Sequence, residues 1–303
     1  MKIAIASCIK LQQTNPQPVW LEILAEKPDV VVLLGDTVYL EHDRHTDPER
    51  LQNELRGLYA KQFAEPNFLA LREDLDSRNA KLLAIYDDHD FLGNNRYGGD
   101  HDPALREAAR GEFARAFELN TFTGDVYQVV HTGLVDIVIL DQRFYRSAPD
   151  ISKGSRDAIL GANQWTWFEQ VVKDSTAKFL MVAFSTTLHT FGDESWEDYP
   201  GAFSRMRELL QKKRGAFIAS GDVHRNALYD DSGVVEVVTS AVARHGIVFG
   251  APRKNYGILT FSDEQMRVQL RSLKSGWRFD VTLDREAWSL DAARDAAHTA
   301  PDL

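Results

Sequence analysis

Short apolar runs recur along this 303-residue chain, and each of five stops at a polar residue able to do chemistry. "IAIAS" leads to Cys8, "VVVLLG" to Asp36 and "LLAIY" to Asp87-Asp88-His89. "IVIL" leads to Asp141, with Arg143 just beyond, and "AFIASG" to Asp222 and His224. Runs so short and so apolar read as strands buried on both faces. Segments with helical spacing fill the gaps between several of them. A β-α-β order builds a parallel or mixed sheet, which gathers the carboxyl ends of its strands along one edge, where ligands bind. Cys8, Asp36, Tyr39, Asp88, His89, Asp222 and His224 can therefore converge although they lie far apart in sequence.

The rest of the chain supports that frame. "PVWLEILAEKP" reads as a helix between the first two strands. "DPERLQNELRGLYAKQF" and "PNFLALREDLDSR" read as two more, with Asp47 as a cap and Pro48 in the first turn. "PALREAARGEFARAFEL", "NQWTWFEQVVKD" and "FSRMRELLQKKR" are amphipathic helices, and "AKFLMVAFS" is a strand. "DVYQVVHTGLVDIVIL" reads as two strands joined by a turn at His131-Thr132-Gly133. From Val234 onward, "VVEVVTSA", "YGILTFS", "MRVQLRS" and "RFDVTLD" are consecutive strands. No repeat, low-complexity tract or Pro/Gly linker divides the chain. One two-sheet α/β domain over residues 1–283 is expected, followed by a helix or loose tail over 284–303.

A formal charge of −10 argues against a nucleic-acid backbone as partner, which would need a basic stripe. It leaves anionic small molecules open, because a metal reverses the local sign. One cysteine rules out an intramolecular disulfide framework. The N-terminus "MKIAIASCIK" is too short in apolar residues for a signal-peptide core, and no run reaches bilayer length. A cytoplasmic protein with no membrane partner is the expectation.

"YDDHD" poses the sharpest question, because Asp87, Asp88 and Asp90 crowd around one histidine. Two carboxylates about 4 Å apart repel by about 4 kcal/mol at an effective dielectric near 20. Solvation at an exposed turn could offset this, and so could a bound cation. Singly, each polar residue has an ordinary explanation: a small buried cysteine, a Gly-Asp turn, a tyrosine with a wet hydroxyl. Asp141 with Arg143 and Arg146 reads most simply as an ion pair. Taken together, hard carboxylates, imidazoles and a soft thiolate suit a transition metal beside an oxygen-rich second ion. Other chemistries find no support. A phosphatase cysteine would need an arginine where Thr14 stands, and there is no phosphate loop, serine elbow or Cys-x-x-Cys pair.

"GDTVY", "YDDHDFLGNN", "LDQRFYR", "LGANQWTWFE" and "SGDVH" resemble, in order, the signatures of PhoD-like alkaline phosphatases, within the calcineurin-like metallophosphoesterases. "ESWEDYPGAFSRMRELL" is similar to that family's Trp-x-x-Tyr-Pro segment, and the likeness runs from about Cys8 to Phe261. The resemblance implies a four-layer α/β/β/α metallophosphoesterase sandwich of two mixed β-sheets flanked by helices. It implies a di- or trinuclear centre in which Cys8, Asp36, Tyr39 and His224 hold iron as Fe3+. Asp36 bridges to a second site formed with Asp88 and Asp222 and filled by Ca2+, with Mn2+, Mg2+ or Zn2+ as alternatives. Asp87 joins that site or supports it. His89 takes the place of the histidine that contacts the scissile phosphate, and Asn94 that of the family's following asparagine.

Two departures stand out. The twin-arginine signal typical of relatives is absent, and Ser185-Thr186 occupy the place of the fourth-motif histidine, for which His189 is the nearest substitute. Arg143 or Arg146 is a candidate phosphate clamp. The expected activity is hydrolysis of a small phosphate mono- or diester by a metal-activated water, with His89 as proton donor. A phosphodiesterase for nucleotides or lipid headgroups, and a non-catalytic metal-binding protein with the same fold, are the alternatives.

Overall fold

The computed structural model describes residues 1–40, 45–119, 125–149, 154–189, 194–243, 254–273 and 276–297. Strands β1 (Lys2–Ala6), β2 (Val30–Leu34) and β3 (Lys81–Ile85) are parallel neighbours. On the free side of β1 follow β10 (Asn255–Phe261), β11 (Gln265–Ser272) and β12 (Gly276–Asp284), all antiparallel. The second sheet has the order β4-β5-β6-β7-β9-β8. Its members are β4 (Gln128–His131), β5 (Val135–Ile139), β6 (Phe179–Ala183), β7 (Ala216–Ser220), β8 (Ala227–Asp231) and β9 (Val234–Val238). The four central strands β5, β6, β7 and β9 run parallel, and β4 and β8 close the edges antiparallel. Both sheets are mixed, as expected.

Alternation along the strands shows how the layers stack. Ile137 and Ile139, Met181 and Ala183, and Phe217 and Ala219 join the core shared by the two sheets. Their neighbours Val138 and Leu140, Leu180 and Val182, and Ile218 face the other way into a second core. That outer core is filled by Trp165 and Phe168 of α6 (Gly161–Asp174) and Met206 of α7 (Pro200–Leu210). Trp20 and Ile23 of α1 (Val19–Glu26), Leu55 of α2 (Pro48–Phe63) and Phe68 of α3 (Pro66–Ser77) pack against the first sheet. The period of two puts one set of side chains on each face, so each sheet demands a helical cover. The α/β/β/α sandwich follows.

Asp47 caps α2 by accepting from the N–H groups of Glu49 and Arg50, the role assigned to it from sequence. Two short elements escaped the sequence reading. α4 (Asp88–Phe91) is a single turn, and β8 carries the half-exposed pattern "ALYDD", too acidic to read as a strand. It forms anyway because β9 offers it a full ladder. α5 (Pro103–Ala116) packs on α2, and α8 (Leu290–Ala297) seats Leu290 and Ala293 in the shared core. Trp165 and Trp196 are fully buried in the second core rather than lining a site, and the side chain of Trp277 lies outside the described residues.

Candidate metal centre

Four of the expected ligands share an unusual backbone. Cys8 (φ 55°), Asp36 (φ 55°), Asp222 (φ 67°) and His224 (φ 52°) are all left-handed, just past the ends of β1, β2 and β7. The left-handed region costs a non-glycine residue about 1–2 kcal/mol, and such strain collects where a site must be built. Their glycine neighbours permit the close approach. A Cβ on Gly35 would lie 2.6 Å from the Asp87 Cβ and 2.9 Å from the Ser185 Cβ. One on Gly221 would lie 2.6 Å from the Ser7 hydroxyl.

The side chains form two overlapping donor sets. Ligand atoms of Cys8, Asp36 and His224 all lie within 4.8 Å of one another, and so do those of Asp36, Asp88 and His89. Asp36 belongs to both and stands where a bridge would. Its Oδ2 accepts the Tyr39 hydroxyl at 2.6 Å and lies 3.5 Å from the Cys8 Sγ, which puts the phenol oxygen beside the first set. Ser240 sits under this set: its hydroxyl donates to the Cys8 Sγ at 2.9 Å and accepts the His224 N–H at 3.0 Å.

In the second set, Asp88 accepts the N–H groups of His89 and Asn95 at 2.8 and 2.6 Å, one on each oxygen. The His89 ring lies 4.2 Å from that of Tyr39, centroid to centroid. From sequence, Asp222 is expected in the second set and His89 outside it. At the 4.8 Å limit the structure gathers His89 with Asp36 and Asp88, and Asp222 joins neither set. The Asp222 carboxylate nonetheless feels Asp87 and Asp88 strongly, and its backbone oxygen is 3.7 Å from the Cys8 Sγ.

The remaining candidates take other places. Arg143 is fully buried, donating from Nε to Asp87 at 2.6 Å and from both terminal nitrogens to Glu194 at 3.0 Å. This geometry makes it a brace for Asp87 rather than an open clamp. Arg146 donates to the Tyr199 hydroxyl and the Glu194 carbonyl. Asn94 is exposed, with its amide on Asn95, the residue that grips Asp88. The His189 ring pairs with Glu197 at 3.1 Å, between the rings of Phe203 and Tyr229. Ser185 and Thr186 bond to the Gln142 side chain.

Burial and mutual repulsion dominate the electrostatics. Burial first, then Asp88, Asp87 and Asp90, push the Asp36 carboxyl well above the usual range. Burial with Asp87 and Asp88 does the same to Asp222. Burial raises Asp87 to about 6 despite Arg143, and Asp90 to about 7 despite its amide partners. The Cys8 thiol is raised by burial, Asp36 and Asp222. Asp88 alone falls below its usual range, because Arg143, His89 and the two amides outweigh its burial.

Buried acids in such a cluster need a positive partner. Among the described residues Asp36 Oδ1 and Asp87 Oδ2 are buried without a hydrogen-bond partner. Orphaned carboxylate oxygens beside a thiol and two imidazoles fit metal ions better than any protein donor.

Residues 3–298 match the sequence profile of the PhoD-like phosphatases. The chain belongs to that family. As a member it is a hydrolase of the phosphatase and phosphodiesterase class, dependent on metal ions. Solved structures agree on the fold. A structure of PhoD superposes with a TM-score of 0.73 at 19% identity, over 94% of this chain and 70% of that one. A dimetal phosphatase from Danio rerio gives 0.58 at 11%, over 95% and 99% of the two chains. GAP50, the anchor in the inner membrane complex of Plasmodium, gives 0.57 at 11%, over 100% and 95%. No curated protein sequence matches it. No helix among the described residues is long and apolar enough to cross a membrane.

Proposed function

We propose that the chain hydrolyses small phosphate mono- or diesters at a centre of two ions that share Asp36. The observation that carries this is the pair of donor sets meeting on one carboxylate. Cys8, His224 and the Tyr39 oxygen offer sulfur, imidazole nitrogen and phenol oxygen, a mixed set that suits iron as Fe3+ through its oxygen and nitrogen donors. Asp36, Asp88 and the nearby Asp222 offer oxygen and suit Ca2+ or another hard divalent ion. Ions held there supply Lewis acidity toward the phosphoryl oxygens and toward water.

The protein's own groups do the rest. His89, its ring tilted against that of Tyr39 and beside Asp88, would hold a proton for the leaving oxygen. Arg143 holds Asp87, and Asn95 and the His89 amide fix Asp88, so these acids would meet ions in set orientations. A cytoplasmic setting belongs to the same reading and is supported by a lone, buried thiol.

The test is elemental analysis of freshly purified protein together with turnover of chromogenic mono- and diesters. Iron bound to Tyr39 would give a visible charge-transfer band. His89→Ala should lower turnover by about 10²–10⁴-fold with metal content unchanged. Absence of both metal and turnover would sink the proposal.

A further inference from the structure

Lys10 carries a positive charge to the ring of Tyr39. Its ammonium lies 4.9 Å from the ring centre, inside the reach of a cation–π contact. At the other end of the same side chain, the Tyr39 hydroxyl donates to Asp36 at 2.6 Å. Backbone bonds fix this placement. The Cys8 N–H donates to the Gly35 carbonyl at 3.3 Å and the Ile9 N–H to the Asp36 carbonyl at 2.7 Å. These two bonds lace the loop after β1 to the loop after β2. A turn closed by the Gln13 N–H on the Lys10 carbonyl at 3.0 Å sets where the lysine stem begins. Lys10 is half-buried and Tyr39 buried, the arrangement in which a lysine packs its stem and keeps its charge hydrated.

The surrounding charges give the contact a meaning. On the side of the second set, Arg143 answers the acids through Asp87 at 2.6 Å. On the side of the first set, Asp36 and Asp222 both act on the Cys8 thiol. Lys10 brings a cation to that side by way of an aromatic ring.

We infer that Lys10 tunes the first ion through Tyr39. The inference rests on the reading of Tyr39 as a ligand of iron and adds a residue that acts through it. A cation over an aromatic face holds the ring's electrons, so the phenol oxygen has less charge to give. An ion among Cys8, Asp36, Tyr39 and His224 then keeps more of its own charge and pulls harder on a phosphoryl oxygen. Lys10 is thus a positioning residue, acting on the reaction through Tyr39 rather than by touching the substrate.

The experiment reads the visible spectrum of the iron-loaded full chain, with turnover of a chromogenic monoester beside it. Tyr39→Phe should remove the phenol charge-transfer band, which identifies it. Lys10→Met removes the charge and keeps an unbranched stem. Its band should move to longer wavelength, because the uncovered ring gives up electrons more readily. Its kcat/KM should fall by about 2–5-fold, the ratio that corresponds to an exposed cation–π contact. Lys10→Arg keeps a cation able to lie over the ring and should return the band to its wild-type position. A band at one wavelength in Lys10→Met and wild type, or displaced equally in both lysine variants, would overturn the inference and leave the iron reading in place. Wild-type protein without such a band, or a band that survives Tyr39→Phe, would remove Tyr39 from the iron site and sink both.

Discussion

Ser240 holds two candidate ligands with one oxygen. Its hydroxyl gives its proton to the Cys8 sulfur and takes the His224 amide proton, so it fixes the thiolate's orientation and the left-handed turn at His224 together. Residues behind metal ligands commonly matter about 10–100-fold in affinity. Ser240→Ala should weaken the first ion by that factor, read by competition against a chelator, and shift any thiolate charge-transfer band. Nothing in the sequence singles out Ser240. It follows the run "VVEVVT" just as Cys8 follows "IAIAS", but a serine carries no chemistry that distinguishes it from a turn residue. Glu194 is hidden for the same reason, since only the folded chain brings it to Arg143. Cys8, Asp36, Asp88 and His224 were legible because strand ends in a mixed sheet converge and their residue types rarely coincide by chance. What a linear reading could not supply was the split between the sets, because whether His89 or Asp222 lies nearer to Asp36 depends on the turn of α4 and the left-handed backbone at 222.

At the scale of elements, the β2 loop and α4 are tied by one buried carboxylate. Asp90 accepts the Val38 N–H at 2.8 Å, the Asp87 N–H at 3.0 Å and the Tyr59 hydroxyl at 3.4 Å. It thus joins the loop bearing Asp36 and Tyr39 to the turn bearing Asp88 and His89. Leaving a buried donor unsatisfied costs about 1–3 kcal/mol, and Asp90→Ala strands three of them, so it should lower stability by about 3 kcal/mol or more. Urea denaturation measures this. The same variant should lose the second ion before the first, because Asp36 and Asp88, which would hold it, stand on the two loops whose register Asp90 sets. Asp87, Asp88 and Asp90 lie side by side in sequence but have different partners: Arg143, the amides of His89 and Asn95, and the amides of Val38 and Asp87. Strands and long helices were readable from period alone. α4 and β8 were not, since four residues hold no period and an edge strand with two acids takes its shape from its neighbour.

Across the whole molecule, two sheets from distant parts of the chain present their edges to one point, and the folded state must hold several acids there. Without ions, Asp36 and Asp222 sit well above their usual range, and Asp87 is raised to about 6. These groups therefore keep protons in the folded chain at pH values where the unfolded chain has lost them. Between about pH 4 and 7 the folded state binds more protons than the unfolded state, so ion-free stability falls as pH rises. Asp88 opposes the trend, its range being lowered, but it is one group against four, since Asp90 is also raised, to about 7. Bound cations remove the penalty by favouring the ionised acids, and binding releases the protons they held. The melting temperature of chelator-treated protein should therefore drop from pH 5 to pH 7.5, while that of metal-loaded protein stays level or rises, so the gap between them widens with pH. Calorimetry of both forms across that range tests the link between fold and ions. A gap independent of pH would mean that the acids do not meet at a shared centre, whatever their positions in the sandwich.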